Sequence, residues 1–352
     1  VFLLIIYNFN GRSVDCMEYS KKSKTLKIIL GTGSTLLATL IAANGTGVVH
    51  ASENHNSNQS TTQKNIEHKV KNTQNKATNN NNIFANEELR KTTLALVSAA
   101  EHTSYKYDEQ FNAPPENIKD ERGLTAGLIG FTTNGDDMKH FIDEYNKINP
   151  NNPMKKYTGA IYNVSGTEKT DGLEGADKAW KDAAKNDRDN MIKAQKRVIA
   201  RDYMEVAEKD AEKDGLKSKL SRYIYFDAIV KHGPGRDKDA AKKDWSFGDL
   251  RAHARSEAKT PAKGGDEKTY LNNFVGKRWD AIEAENNNQE SGFDTEGTTD
   301  RLKTQQELLK DDNMGLNLPI KYKINDDHYK TLTQEKLDAL SSSDANFDGI
   351  WD

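Results

Sequence analysis

The sequence predicts a mainly α-helical protein with a small β element, and three observations carry that reading. Apolar residues recur at every third or fourth position over several long segments. One stretch, Gly123–Thr133 (GLTAGLIGFTT), is too rich in glycine and threonine to continue that period and reads as a short strand or hairpin. The chain has 352 residues, enough to bury one large core or two small lobes, and shows no internal repeat.

Along the chain, residues 86–103 carry Leu89, Leu96, Val97 and Ala100 on one side of a helix. Residues 136–148 place Met138, Phe141, Ile142, Tyr145 and Ile148 at 3–4 spacing, and Asn149-Pro150 stops the helix. Residues 187–213 read as one long helix with Met191, Ile192, Val198, Ile199, Tyr203 and Met204 inward. Residues 216–231, 246–258, 266–286 and 299–310 are further helices, and Lys321–Ile324 is a short strand.

The termini read differently. Residues 1–16 (VFLLIIYNFNGRSVDC) have the character of an upstream extension before Met17. From Met17 to Ala51 the order is four lysines, an apolar run from Ile28 to Ala43, then Val49-His50-Ala51, which is the layout of a secretory signal peptide. A membrane anchor is the competing reading, but Gly31, Thr32, Gly33, Ser34 and Thr35 dilute the run below what a span of about 20 apolar residues needs. Residues 52–85 are rich in Asn, Gln, Ser, Thr and Lys and carry too little apolar surface to offset ordering entropy; they read as a disordered linker. That leaves 86–335 as the main domain and 336–352 as a flexible tail.

Hydrophobic residues make up 35% and charged residues 30%, with a net charge of -3, so no basic excess points to nucleic acid. Loss of residues 1–51 removes five basic and two acidic groups and leaves 46 basic against 52 acidic, a net of -6 that would attract a polycation. Cys16 is the single cysteine, and no His or Cys cluster has metal-ligand spacing. The stretch Asp344-Ala-Asn346-Phe-Asp348-Gly349 resembles the first half of a calcium loop, but the glutamate that closes such loops has no counterpart in the sequence. Neither a metal nor another cofactor is therefore expected.

Two charges fall on apolar stripes. Asp227 shares a helix face with Leu220, Tyr223 and Ile224, and Arg278 lies among Tyr270, Leu271, Phe274, Val275 and Ile282. A lone buried charge costs several kcal/mol, so the two are expected to pair and lock their helices together. The alternative is that one or both reach water at the edge of a stripe.

Two carboxylates near the front form a candidate acid–base pair. Glu101 follows Leu94–Ala100 (LALVSAA) at the C-terminal end of its helix, where the dipole and apolar neighbours disfavour a negative charge. Asp120, in KDERGLT, precedes the glycine-bearing stretch and is expected to be well solvated and ionised. One protonated and one ionised carboxyl facing a groove is what acid–base cleavage of a glycosidic bond requires. With 54 acidic residues the chain offers many such pairs, and chemistry alone does not single this one out.

The surrounding sequence does. LVSAAEHTS at 96–104, KDERGLTAGLIGFTTNGDDM at 119–138, YFDAIVKHGPG at 225–235 and TPAKGGDEKTYLNNFVGKRWDA at 260–281 resemble, in order, blocks of the chitosanases of glycoside hydrolase family 46. The similarity covers roughly residues 88–325. It implies a lysozyme-like fold of two lobes around a substrate cleft, and endo-acting, inverting hydrolysis of β-1,4 bonds between glucosamine units of chitosan. It implies no metal or cofactor; secretion is expected from the 17–51 segment, and the enzyme is expected to act as a monomer.

Residue by residue, the resemblance makes Glu101 the general acid, Asp120 the general base and Thr125 a holder of the attacking water. Arg122, Asp137, His232 and Glu285 match substrate-side positions, with Asp137 and Glu285 expected to bind glucosamine ammonium groups. Asp227 and Arg278 match a family charge network. His232 also has a reading as the cap of its helix before Gly233-Pro234-Gly235.

There are departures. Glu121 stands where a glycine is expected and Leu124 where an aromatic is expected. Gly292 replaces a second network arginine, a place that Arg301 could fill. Two other functions fit a carboxylate-bearing groove: a muramidase or chitinase acting on N-acetylated chains, and a protein that binds polysaccharide without cutting it.

Overall fold

The computed structural model describes residues 3–5, 16–18, 81–235, 245–288, 296–324 and 328–352. In a first unit, Val1–Asn72, strands β1 (Leu3–Ile5) and β2 (Cys16–Glu18) pair antiparallel. The remainder of the expected export segment, and linker positions 52–80, lie outside the described residues. Among the described residues no helix is long and apolar enough to cross a membrane.

The second unit, Thr73–Asp352, holds the helical core. Helix α1 (Glu87–His102) starts where Asn86 Oδ1 accepts the Leu89 N–H at 2.8 Å, with Glu87 and Glu88 favourably placed at its positive end. Its Leu94, Ala95 and Val97 are fully buried, each apolar side chain of that size contributing about 1–3 kcal/mol. It ends at Thr103 in the left-handed conformation, φ 55°. A single turn, α2 (Tyr107–Gln110), follows.

The glycine-rich stretch forms the expected hairpin. Strand β3 (Thr125–Ala126) pairs antiparallel with β4 (Phe131–Thr132), Thr125 opposite Thr132. The turn between them needs Gly127 and Gly130 at φ 72° and 71°, which other residues reach only with strain. Helix α3 (Asp137–Ile148) then buries Met138, Phe141, Ile142 and Tyr145, with the Phe141 ring 4.9 Å from Trp180 and 5.9 Å from Phe131.

Helices α4 (Thr158–Val164) and α5 (Ala176–Asn186) have no counterpart in the sequence reading. The buried face of α5 is Ala176, Ala179, Trp180 and Ala183, which has helical spacing but carries its signal on alanines. The expected long helix over 187–213 runs without a break as α6 (Arg188–Val198), a π segment (Ile199–Met204) and α7 (Glu205–Asp214). Helices α8 (Lys219–His232), α9 (Phe247–Glu257), α10 (Glu267–Asn288) and α11 (Glu296–Lys310) complete the core, with α10 packed against both α9 and α11. Strand β5 (Ile320–Ile324) lies on α11 and pairs with β6 (His328–Leu332). Only two-stranded sheets occur among the described residues, so the fold is α+β with helix dominant.

Two boundary expectations are corrected. Residues 81–85, taken as linker, pack on the core: Ile83 is fully buried, and Glu208 accepts its N–H at 2.7 Å and the Asn82 amide at 2.9 Å. The tail after residue 335 is not flexible but docked. It forms α12 (Gln334–Asp338) and α13 (Ser342–Ala345) and buries Leu337, Leu340, Ala345, Phe347 and Ile350.

Cations from distant helices hold the tail by its carbonyls. Lys91 Nζ donates to Leu340 O at 3.2 Å, Lys196 Nζ to Ser343 O and Asn346 O at 2.7 and 2.8 Å, and Arg90 Nε to Ala345 O. Arg188 forks onto Asp344 at 3.2 and 2.7 Å, so the leading acid of the calcium-like stretch is already neutralised. Nothing in 336–352 read alone discloses partners 147 to 255 residues away. Charge-assisted bonds of this kind contribute about 1.5–3 kcal/mol. Arg188→Met should therefore lower the melting temperature by a few degrees and open a protease site near residue 340, followed by limited proteolysis of the folded protein.

Candidate active site

The last turn of α1 carries Glu101 to the hairpin. His102 Nε2 meets Leu128 O at 2.9 Å and ties that turn to the hairpin's end, while Ser98 Oγ donates to Ser104 O at 2.6 Å beneath it. Glu101 Oε2 points at Gly130: a methyl added there would lie 3.7 Å from that oxygen and 3.3 Å from Thr125 Cγ2. Gly130 thus keeps the space between Glu101 and Thr125 open.

The apolar setting expected for Glu101 is corrected. Arg301 Nη2 bonds its Oε1 at 2.6 Å, and the side chain is 20% exposed. Oε1 is held by the guanidinium and Oε2 is the oxygen left toward the hairpin.

Asp120 sits in a turn at the base of the same hairpin. Its neighbours Lys119 and Glu121 adopt left-handed φ values of 58° and 65°, so the position where a glycine was expected has a glycine's geometry and Glu121 bears the strain. That conformation costs a side chain about 1–2 kcal/mol. The turn is braced by Asn134, whose Nδ2 donates to Glu121 O at 3.0 Å and whose N–H donates to Arg122 O at 3.1 Å.

The expected solvation of Asp120 is also corrected: its side chain is 3% exposed. The left-handed residues on either side fold the chain back, so that Asp120 Oδ1 accepts the Arg122 N–H at 3.2 Å and Oδ2 meets Arg122 Nε. Arg122 is 47% exposed and forms the outer wall of this pair. Thr125 Oγ1 is buried and makes no hydrogen bond to another described residue. A buried hydroxyl in that state ordinarily bonds a water or a ligand.

Asp137 begins α3, where it ties the hairpin down. It accepts the Thr132 N–H at 3.1 Å, the Thr132 hydroxyl at 3.3 Å and the Met138 N–H at 3.0 Å. The hydroxyl of Tyr203, from the π segment, approaches at 3.4 Å. Burial pushes the Asp137 carboxyl up to about 6, against the pull of these donors. Exposed Asp136 is instead held below the usual range by Lys139.

Behind Glu101 lies a buried charge network. Arg278 Nη2 is 2.9 Å from Asp227 Oδ2, both side chains fully buried, which is the pair expected from helical periodicity. Arg301 joins this network: its Nη2 spans Asp227 Oδ1 at 3.0 Å and Glu101 Oε1 at 2.6 Å; Gly292 lies outside the described residues. Burial alone would push the Asp227 carboxyl up, but Arg301 and Arg278 outweigh it and hold it below the ordinary range. Asp227 thus sits between two guanidiniums, one of which also reaches Glu101.

Gln305 closes the set. It accepts from Arg278 Nη1 at 2.7 Å and donates to Asp227 Oδ2 at 2.7 Å. Sequence reasoning missed it, although Arg301 and Gln305 are four apart on one helix face.

His232 is placed in this network, not on an open surface. Its side chain is 1% exposed and Nε2 accepts from Arg278 Nε at 3.4 Å. Burial, with Arg278 and Lys231 beside it, drives its pKa well below the usual value, so the ring is neutral. Nor does it cap α8, since the Gly233 N–H closes that helix onto Ile229 O. Glu285, 37% exposed, marks the outer end, bonded to Lys231 Nζ at 3.0 Å with His232 Nδ1 at 4.0 Å. The structure thus links Glu101, Asp227, Arg278 and His232 through Arg301 in one chain of contacts, leaves Glu285 paired with Lys231 beyond it, and groups Asp120, Arg122, Thr125 and Asp137 around the hairpin. Among the described residues no cluster of His, Cys, Asp and Glu could hold a metal ion.

Comparison with known proteins places this arrangement. A chitosanase of Streptomyces sp. (strain N174) is 38% identical over 239 residues, 67% of this chain and 79% of its own length. A chitosanase of Bacillus subtilis (strain 168) is 30% identical over 213 residues, 60% of this chain and 74% of its own. Among solved structures, a chitosanase in co-crystal with substrate superposes with a TM-score of 0.61 at 33% identity, covering 69% of this chain and 95% of the other. The native chitosanase of Bacillus subtilis MY002 gives 0.61 at 29% identity, covering 70% and 99%. Residues 95–320 match the model of glycosyl hydrolase family 46, a span that begins just before Glu101 and runs past Arg301 and Gln305. The chain belongs to glycosyl hydrolase family 46, and the hairpin with its charge network is the candidate active site of a glycoside hydrolase.

Proposed function

We propose that the protein is a secreted, endo-acting chitosanase that hydrolyses β-1,4 linkages between glucosamine units with inversion. One observation carries the mechanism: a single hairpin bears the Asp120 turn at its base, meets the Glu101 carboxylate at Gly130, and holds Thr125, whose buried hydroxyl has no partner among the described residues, across Gly130 from Glu101. The relatives named chitosanases, one of them crystallised with substrate, support chitosan as the polymer.

In this reading Glu101 protonates the leaving glycosidic oxygen. Asp120, oriented by Arg122, takes a proton from a water that Thr125 helps to hold, and that water attacks the anomeric carbon from the opposite face. Inverting enzymes separate the two carboxyls by about 6.5–9.5 Å to admit the water. Arg301 fixes Oε1 of Glu101 and so leaves Oε2 as the proton-bearing atom. Asp137 binds a glucosamine ammonium through a charge-assisted contact roughly twice as strong as a neutral one. An acetamido group supplies no charge at that point, so chitin is a poor substrate. Export follows from the 17–51 segment, and the enzyme acts as a monomer.

The test is to follow product anomers by NMR during digestion of fully deacetylated chitosan. Inversion requires the α-anomer to appear first and mutarotate afterwards. Initial β-anomer would overturn the water-attack mechanism. Release of sugar from peptidoglycan or colloidal chitin, with none from chitosan, would overturn the substrate.

A further inference from the structure

The turn that carries Asp120 is held in place from the other arm of the hairpin. Glu121 sits at φ 65°, where a side chain is strained. Its exposed carboxylate does nothing to offset that strain, since it has no hydrogen bond or ion pair among the described residues. Its carbonyl does have a partner and accepts from Asn134 Nδ2 at 3.0 Å. Reversing the amide would set two acceptors against each other, so the nitrogen is the atom that faces the carbonyl.

The Glu121 carbonyl and the Arg122 N–H belong to one planar peptide unit, and in its trans form they point to opposite sides. On the far side the Arg122 N–H donates to Asp120 Oδ1 at 3.2 Å. Asn134 Nδ2, the 121–122 peptide and Asp120 Oδ1 thus form a relay of two hydrogen bonds through one rigid plate. Turning the plate breaks both. Asn134 is itself seated by its backbone, with its N–H donating to Arg122 O at 3.1 Å and its O accepting the Gly166 N–H at 2.8 Å. Another residue at 134 would keep those two bonds. Only the side-chain amide reaches Glu121.

We infer that Asn134 is a positioning residue for Asp120: its amide fixes the 121–122 peptide and, through it, the direction of the Asp120 carboxylate. The inference rests on the reading of Asp120 as the general base of a chitosanase. A base that can turn away meets its water in a productive direction for a smaller fraction of the time. The loss therefore falls on turnover and not on the binding of the sugar chain.

The experiment measures kcat, KM and melting curves on fully deacetylated chitosan for Asn134→Ala, Asn134→Asp, Glu121→Gly and the double variant Glu121→Gly with Asn134→Ala. Asn134→Ala should lower kcat about tenfold, with KM within about twofold of wild type. Its melting temperature should stay within about 3 °C, because the backbone bonds at 134 remain. Asn134→Asp keeps the shape but sets an acceptor against the Glu121 carbonyl, and should lose at least as much. Glycine enters the left-handed region without strain, so Glu121→Gly should turn over within about twofold of wild type. The double variant should recover most of what Asn134→Ala loses, because the plate no longer needs its brace. A residue that only tied the hairpin to the Gly166 loop would be indifferent to what stands at 121. A kcat for Asn134→Ala within about twofold of wild type, or a loss undiminished in the double variant, overturns the inference while an active wild type leaves the chitosanase reading intact. Failure of the wild type to cut chitosan overturns both.

Discussion

Replacing Glu101 by Gln should lower kcat on chitosan by about 10³-fold or more while leaving the protein folded. A general acid contributes about 10²–10⁴-fold to such a reaction. The amide keeps the shape and can still accept from Arg301 through its oxygen, so the contact at 2.6 Å has a neutral replacement. What it cannot do is release a proton to a departing oxygen. The loss should fall on kcat with little change in KM, since the group acts on the leaving atom and not on the ammonium groups that hold the chain. The melting temperature should move by only a few degrees, because the side chain is 20% exposed and water shares its solvation. Turnover within tenfold of wild type would remove Glu101 from the acid role. Asp120→Asn is the matched control for the base: it should fail in the same way, and added azide, a small nucleophile that needs no deprotonation, should restore part of the rate to it but not to Glu101→Gln.

Helix periodicity disclosed most of the fold because the buried stripes are built from large apolar residues: Met138, Phe141, Ile142 and Tyr145 on α3 can be read in no other way. It failed where burial is carried by alanine, as on α5, or where short apolar pieces are seated by cations from elsewhere, as in the tail. The charge pair was legible for the same reason as the helices. Asp227 and Arg278 stand where only apolar residues belong, and a charge there implies a partner.

The settings of the two proposed catalytic carboxylates were not legible. Glu101 acquires its guanidinium from Arg301, 200 positions away, and Asp120 loses its solvent to a backbone turn set by two left-handed residues. Local sequence gives a carboxylate its position on an element. What it faces is decided by packing between elements.

The largest expected effect on stability comes from Arg278. Removing its guanidinium by Arg278→Ala strands part of the Asp227 charge inside the core and takes a donor from both Gln305 and His232. Breaking one side of a buried pair costs about 3–5 kcal/mol. For a domain of this size that corresponds to a melting temperature lower by about 10 °C. Arg301 also contacts Asp227 at 3.0 Å and cannot replace Arg278 without letting go of Glu101, so activity should fall along with stability. The double variant Asp227→Asn with Arg278→Met separates the two causes. It removes both charges and fills the space, and should recover about half of the lost stability, as expected when an uncompensated charge and not lost packing is the main cost. Activity should remain low in the double variant, because Arg301 then has Glu101 as its sole anionic partner in this network. If Arg278→Ala melts within 2 °C of wild type, a roughly neutral change by the same conversion, the pair is not holding α8 to α10.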